Sequence, residues 1–200
     1  MKTIWKSALL LAALAVIPRA YAQGPIFAGA GPVIEAGLGY TYTNVNIPAY
    51  KSLPMNGVDA SVNGDFTRHF GLKLDVGYAR AFDAFGTGHS ADMVTYMGGP
   101  VFYPIRTRRW MVYGELLVGG ARETGVNYTS DGRQITGFAN ELAWAGGGGI
   151  QFRLTQSMSL RGGGDYLRTQ FFNSQVGLEK QGNIRSVVSI VYTFGEGREK

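Results

Sequence analysis

Leu72-Lys73-Leu74-Asp75-Val76 alternates apolar and polar side chains at every step, and Val58-Asp59-Ala60-Ser61-Val62-Asn63 does the same. Successive side chains of an extended chain point to opposite faces, so each stretch reads as a strand with one oily and one wet face. From Val33 onward this reading gives eight candidate strands, at 33–43, 57–67, 70–81, 91–103, 110–121, 137–153, 158–168 and 183–194. Most reach the roughly 9 to 11 residues that a tilted strand needs to cross a bilayer.

The oily positions are Ile34, Ala36, Leu38, Tyr40 and Tyr42 in the first run and Leu72, Leu74, Val76 and Tyr78 in the third. Val112, Leu116 and Val118 continue the pattern in the fifth, Leu142, Trp144, Ile150 and Phe152 in the sixth, and Val188, Ile190, Tyr192 and Phe194 in the last. The opposite faces carry Glu35, Asp59, Asp65, Lys73, Asp75, Glu115, Glu141, Arg161, Asp165 and Arg185, interspersed with glycines such as Gly37, Gly77, Gly147 and Gly163. A cation facing lipid near the bilayer midplane costs about 2–4 kcal/mol, so a bilayer enforces this segregation. The fourth run is apolar on both faces, and its pattern does not orient it.

Lys2 and Lys6, the apolar stretch Ala8 to Ile17 and the small-residue site Ala20-Tyr21-Ala22 form an export signal, with cleavage expected after Ala22. The apolar stretch is about half the roughly 20 residues of a spanning helix. The expected organisation is a signal peptide at 1–22, a periplasmic segment at 23–32, a barrel at 33–194 and a polar tail at 195–200. Loss of Lys2, Lys6 and Arg19 leaves 16 basic against 14 acidic residues, a balance of +2. That balance, without a clustered basic footprint, argues against nucleic acid as a partner.

The chain has no cysteine, which excludes a disulfide framework, a cysteine zinc site and an N-terminal lipid anchor. Charged residues make up 16% of the chain, below the roughly 25% of a soluble domain, and no cofactor motif stands out. The connections alternate: 67–69, 104–109 and 155–157 are short, whereas 44–56, 82–90, 122–136 and 169–182 are long. Short turns on one rim and long loops on the other are outer-membrane topology, with both termini on the periplasmic side. Tyr40, Tyr42, Phe66, Phe70, Phe102, Tyr103, Trp110, Phe152, Tyr192 and Phe194 then serve as interface aromatics.

A soluble lipocalin-like binder of apolar ligands is the structural alternative, because periodicity alone does not say which face points inward. The polar face favours the membrane reading. A water-exposed face would be dense in lysine and glutamate, whereas glycine and alanine share this one with a few charges of both signs, as in the crowded interior of a small barrel.

Tyr96-Met97-Gly98-Gly99-Pro100, Leu116-Leu117-Val118-Gly119-Gly120-Ala121 and the closing Val188-Ser189-Ile190-Val191-Tyr192-Thr193-Phe194 carry a resemblance. On these motifs the chain resembles the bacterial outer-membrane β-barrel family, in its small eight-stranded form, which includes the outer membrane protein A transmembrane domain and the opacity proteins. The resemblance implies an all-β, antiparallel up-and-down barrel in contact with outer-membrane lipid and lipopolysaccharide. It also implies recognition of a closing aromatic by the barrel-assembly machinery, with Phe194 in that role six residues before the end, and no cell-wall-binding domain after it.

For candidate sites, a closed lumen predicts a buried ion-pair network of Glu35, Lys73, Asp75, Glu115, Glu141, Arg161, Asp165 and Arg185, since an unpaired buried charge is very costly. A Glu115 and Glu141 acid/base pair is the catalytic counter-reading. His89, Ser90 and Asp92 contain the residue types of a nucleophilic triad, as a lipid-modifying barrel enzyme would require, but neighbours on a strand diverge. His69 sits in a short turn with no evident partner. Gly146-Gly147-Gly148-Gly149 lacks the Lys-Ser/Thr of a phosphate loop and reads as a bend or close-packing patch. Arg106, Arg108 and Arg109 read as a solvated turn. The expectation is a non-enzymatic barrel serving envelope integrity or adhesion, with any extracellular ligand bound at the loops.

Overall fold

A computed structural model of the protein describes residues 33–46, 52–84, 88–128, 134–169 and 181–194. The expected signal peptide, the 23–32 segment, the 195–200 tail and parts of all four long connections lie outside the described residues. The strands are β1 (Val33–Val45), β2 (Leu53–Asp65), β3 (Phe70–Ala81), β4 (Ala91–Arg106), β5 (Trp110–Tyr128), β6 (Gln134–Arg153), β7 (Met158–Thr169) and β8 (Gln181–Phe194).

Each strand pairs antiparallel with the next, and β8 returns to β1, closing the barrel. Closure leaves no unpaired edge, which is the condition for strands to exist in hydrocarbon. The outer wall is oily: Leu38, Leu74 and Leu142 are each more than 60% exposed, with Val62, Val76, Leu116, Val118, Val188 and Ile190 alongside them. The inner wall holds Glu35, Asp59, Lys73, Asp75, Arg161, Asp165 and Arg185, all buried. This polarity is the reverse of a soluble lipocalin, so that alternative is set aside.

Two elements run longer than the sequence indicates. β5 and β6 continue their ladder to Tyr128 paired with Gln134, so much of the expected 122–136 loop is strand. Beyond the lipid neither face must be oily, and backbone bonding extends the hairpin without the alternation that marks the other strands. Similarly, β1 and β2 stay paired to Val45 and Leu53, shortening the expected 44–56 loop.

The structure also orients β4. Met93, Thr95, Met97, Val101 and Tyr103 face inward and are buried, while Tyr96 and Phe102 face out. Phe102 pairs with Gly114 but Ile105 with Val112, so β4 carries one extra residue against β5, a bulge. The bulge turns Ile105 to the outside and brings Arg106 back toward the lumen.

Candidate functional site: the barrel interior

The interior is built from stacked layers contributed by inward positions of all eight strands. In the central layer Arg185 of β8 faces its cross-strand partner Asp165 of β7. Its Nε donates to both Asp165 carboxylate oxygens at 3.1 and 2.9 Å, and Nη2 donates to Oδ2 at 2.8 Å. Nη1 donates to Asp75 at 2.7 Å and lies 3.6 Å from Asp59. One guanidinium thus ties β2, β3, β7 and β8 together across the lumen. Lys73 extends the layer, with Nζ 2.9 Å from Asp75 and 3.1 Å from Glu115.

Toward the short-turn rim, Arg161 donates to Gln151 at 2.8 Å and to Glu35 at 2.5 Å, and Gln151 donates to the other Glu35 oxygen at 3.0 Å. The Asn63 amide, turned with its oxygen toward Arg161, accepts from both terminal nitrogens at 2.8 and 2.9 Å. The Arg161 guanidinium stands 5.5 Å from the Tyr113 ring centre, a cation–π contact. Tyr113 fits because glycine lies opposite it: a Cβ on Gly163 would stand 2.2 Å from its hydroxyl. The glycine-rich stretch of β6 sits opposite glycines of β7, including Gly149 with Gly163.

At the rim itself Arg106 reaches Asp65 at 2.6 Å and stacks 4.9 Å from the Tyr103 ring centre. Tyr103 is therefore a lumenal residue, not an interface aromatic, because it shares the inward parity of Val101. Arg106, read from sequence as part of a solvated turn, is in β4 and ion-paired, since the bulge redirects it. His69 has a partner after all: its Nδ1 donates to the Tyr103 carbonyl at 3.0 Å.

The opposite half of the lumen is mainly apolar, with Thr43, Thr169 and Asn183 buried there and Glu123 paired opposite Met93. Val45, Leu53, Met55, Ala79, Met93, Met97, Leu117, Ala143 and Leu167 form one buried cluster beneath the long connections. Between it and the ionic layer, a cavity of about 10 Å³ is lined by Thr41, Thr43, Thr95 and Arg185. That is room for about one water molecule.

Of the expected network, Glu141 stands apart. Glu115 faces Gly147, six residues along β6 from Glu141, which is about 20 Å at the rise of a strand. Among the described residues no ion pair reaches Glu141, and the distance also removes the two-carboxylate acid/base pair. Sequence reasoning missed Arg106, Gln151 and Asn63 as members of the interior. The parity of Asn63 with Asp65 and of Gln151 with Gly149 marks the latter two, whereas the signal for Arg106 is Pro104, which cannot donate to the ladder and lies within the bulge.

Of the triad residue types, Ser90 and Asp92 meet the same arginine, Arg80. Ser90 Oγ accepts from Arg80 at 3.0 Å, while Asp92 accepts from Tyr78 at 2.8 Å and lies 3.5 Å from Arg80. Both are held by a surface arginine.

Outside the barrel the aromatics collect in two belts. Phe70 with Phe102, Trp110 with Phe152 and Tyr192 with Phe194 pair at 5.0, 4.5 and 4.8 Å near the short turns. Tyr40, Tyr42, Tyr78, Tyr96 and Tyr166 are exposed toward the other rim, where Trp144 packs 6.0 Å from Tyr166. An oily band between two aromatic belts, around a charged interior, matches a membrane-spanning barrel.

The outer membrane protein beta-barrel domain matches this chain over residues 7–194. The chain belongs to that family. It is an integral outer-membrane barrel, with lipid against its wall.

Among solved structures, the barrel is similar to Neisserial surface protein A, at TM-score 0.60 and 10% identity, covering 82% of this chain and 98% of that one. Ail, the attachment invasion locus protein of Yersinia pestis, gives TM-score 0.59 at 16% identity, covering 82% and 100%. OprG from Pseudomonas aeruginosa gives 0.51 at 14%, covering 82% and 96%. At these identities the shared property is the fold. No curated protein is significantly similar to the chain in sequence.

Proposed function

We propose that this outer-membrane barrel is a non-enzymatic display scaffold, exported with cleavage after Ala22. In this reading the short turns and both ends of the barrel face the periplasm. The connections 46–52, 82–90, 129–133 and 170–180 face outward and carry adhesion or an envelope-stabilising contact. Insertion runs through the barrel-assembly machinery, reading Phe194 on the closing strand, and lipopolysaccharide surrounds the outer rim. The interior ion-pair network formed by Glu35, Lys73, Asp75, Glu115, Arg161, Asp165 and Arg185 holds the barrel shut.

The observation that carries this reading is the filled lumen. Arg185 bridges four strands, an apolar cluster lies above it and the cavity between them has room for about one water. Chemistry and transport through the wall both need an open site, which leaves the connections as the functional surface. A similar barrel, Ail, has been solved in complex with the heparin analogue sucrose octasulfate, which supports ligand binding on this fold.

The test is adherence of a non-adherent Gram-negative host expressing the protein, or variants in which each connection is cut to a two-residue turn. Barrel integrity is read by heat-modifiable gel mobility. Loss of adherence, or of envelope resistance to detergent, on cutting a connection is expected. Unchanged behaviour with all four connections cut would refute the proposal.

A further inference from the structure

Among the described residues, the short-turn rim carries an arc of arginines that no ion pair neutralises. Arg68 lies between β2 and β3, Arg108 and Arg109 between β4 and β5, and Arg153 ends β6. Arg68, Arg108 and Arg109 are exposed and Arg153 is half-buried.

Contacts make these one surface. Arg68 donates to the Arg106 carbonyl at 3.4 Å and Arg106 returns a bond to the Arg68 carbonyl at 3.4 Å, so the first two turns touch. The Arg153 amide donates to the Arg109 carbonyl at 2.9 Å, which joins the second turn to the end of β6. The connecting segments 66–69, 107–109 and 154–157 contain no aspartate or glutamate. Asp65, which ends β2 at this rim, is taken by Arg106. At the other rim Arg80 is matched by Asp92.

The arc also sits directly against the aromatic belt. Phe70, two residues after Arg68, pairs with Phe102, and Trp110 and Phe152 follow Arg109 and precede Arg153 in the chain. Aromatic belts mark headgroup level, so these guanidinium groups stand where lipid phosphates lie. A planar guanidinium binds a phosphate through two parallel hydrogen bonds, which a neutral headgroup with a fixed internal cation competes for less well.

We infer that this arc is a binding surface for the phosphate headgroups of anionic phospholipids, in the leaflet that meets the short turns. It clamps the barrel's depth in the bilayer. If the short turns face the periplasm, as proposed above, that is the inner leaflet of the outer membrane.

The test is native mass spectrometry of the folded protein released from mixed micelles holding equal amounts of phosphatidylglycerol and phosphatidylcholine. A basic residue near an anionic surface contributes roughly 1 kcal/mol, so wild type is expected to retain phosphatidylglycerol at least about fivefold over phosphatidylcholine. The variant Arg68→Gln/Arg108→Gln/Arg109→Gln/Arg153→Gln should fall to about parity, and Arg168→Gln on the opposite rim should not change the ratio. If the quadruple variant does not fold, Arg108→Gln/Arg109→Gln carries the test, with at least half of the enrichment lost.

No enrichment in wild type, or enrichment that survives the substitutions, overturns the inference. So does complete displacement of the lipid by 50 mM inorganic phosphate, which would make the arc a site for the free ion. The readout does not depend on which way the barrel faces in a cell. Protease accessibility of the connections on intact cells tests that orientation separately.

Discussion

Arg185→Leu is the substitution on which the interior can be judged. Arg185 is 2% exposed and meets Asp165, Asp75 and Asp59, with Asp165 held by three hydrogen bonds. Leucine removes the guanidinium and leaves all three carboxylates, relieved only by Lys73 beside Asp75. Removing one partner of a buried ion pair costs about 3–5 kcal/mol, because the charge left behind stays desolvated. Arg185→Lys keeps the charge but loses the fork and is expected to cost about 1.5–3 kcal/mol, the range of a charge-assisted hydrogen bond. Adding Asp165→Asn to Arg185→Leu removes one stranded charge, so the double variant should be more stable than additivity predicts, with a coupling of about 0.5–3 kcal/mol. The assay is urea unfolding of protein refolded into lipid vesicles, with the folded fraction read from gel mobility without boiling. An Arg185→Leu protein within about 0.5 kcal/mol of wild type, together with no coupling to Asp165, would refute the view that these charges hold the barrel together.

Other outcomes follow from the same layout. Leu74→Arg places a cation on the lipid face at a position 63% exposed. It should cost about 2–4 kcal/mol in the vesicle unfolding assay, and a neutral result would mean that this face does not meet hydrocarbon. Gly163→Ala drives a methyl toward the Tyr113 hydroxyl. It should cost about 1–3 kcal/mol by the same measurement, and combining it with Tyr113→Ala should cost less than the sum of the two single substitutions. In planar bilayers the purified protein should show no large, stable conductance, whereas Arg185→Ala combined with Leu117→Ala should conduct measurably if these two side chains block the lumen.

What could be read from sequence follows from where physics imposes a pattern. β1, β3 and β8 each place lipid on one face and a crowded interior on the other, so Leu72-Lys73-Leu74-Asp75-Val76 alone gives strand, face and environment. β4 hides its orientation because its inward residues, Met93, Met97 and Val101, lie partly within the apolar half of the lumen. There both faces are oily for different reasons, one against lipid and one against a packed core. The β5–β6 extension is silent because outside the bilayer no face needs to be apolar. Arg106 depends on the bulge between Phe102 and Ile105, where Pro104 interrupts the ladder, and in sequence that proline reads as the start of the turn. Tyr103 faces inward by plain alternation from Val101. Glu141 was grouped with Glu115 by shared parity, yet register along the strand, which parity does not encode, separates them.

The two faces of this wall are both committed to folding, and that bears on where function can reside. Outward positions must stay apolar for the bilayer, and the charges of the central lumen, such as Lys73, Asp75, Asp165 and Arg185, are held by opposite charges across it. The Arg185 cluster shows how tight the second condition is, for one residue answers to carboxylates on three strands. Neither condition fixes which apolar residue or which ion pair is used. The barrel can therefore be kept at 10% identity to Neisserial surface protein A while nearly every side chain differs. The connections beyond the aromatic belts are bound by neither condition. They are the part of the chain free to acquire a specific partner, and the side chains packed across the lumen leave the rim as the place for it.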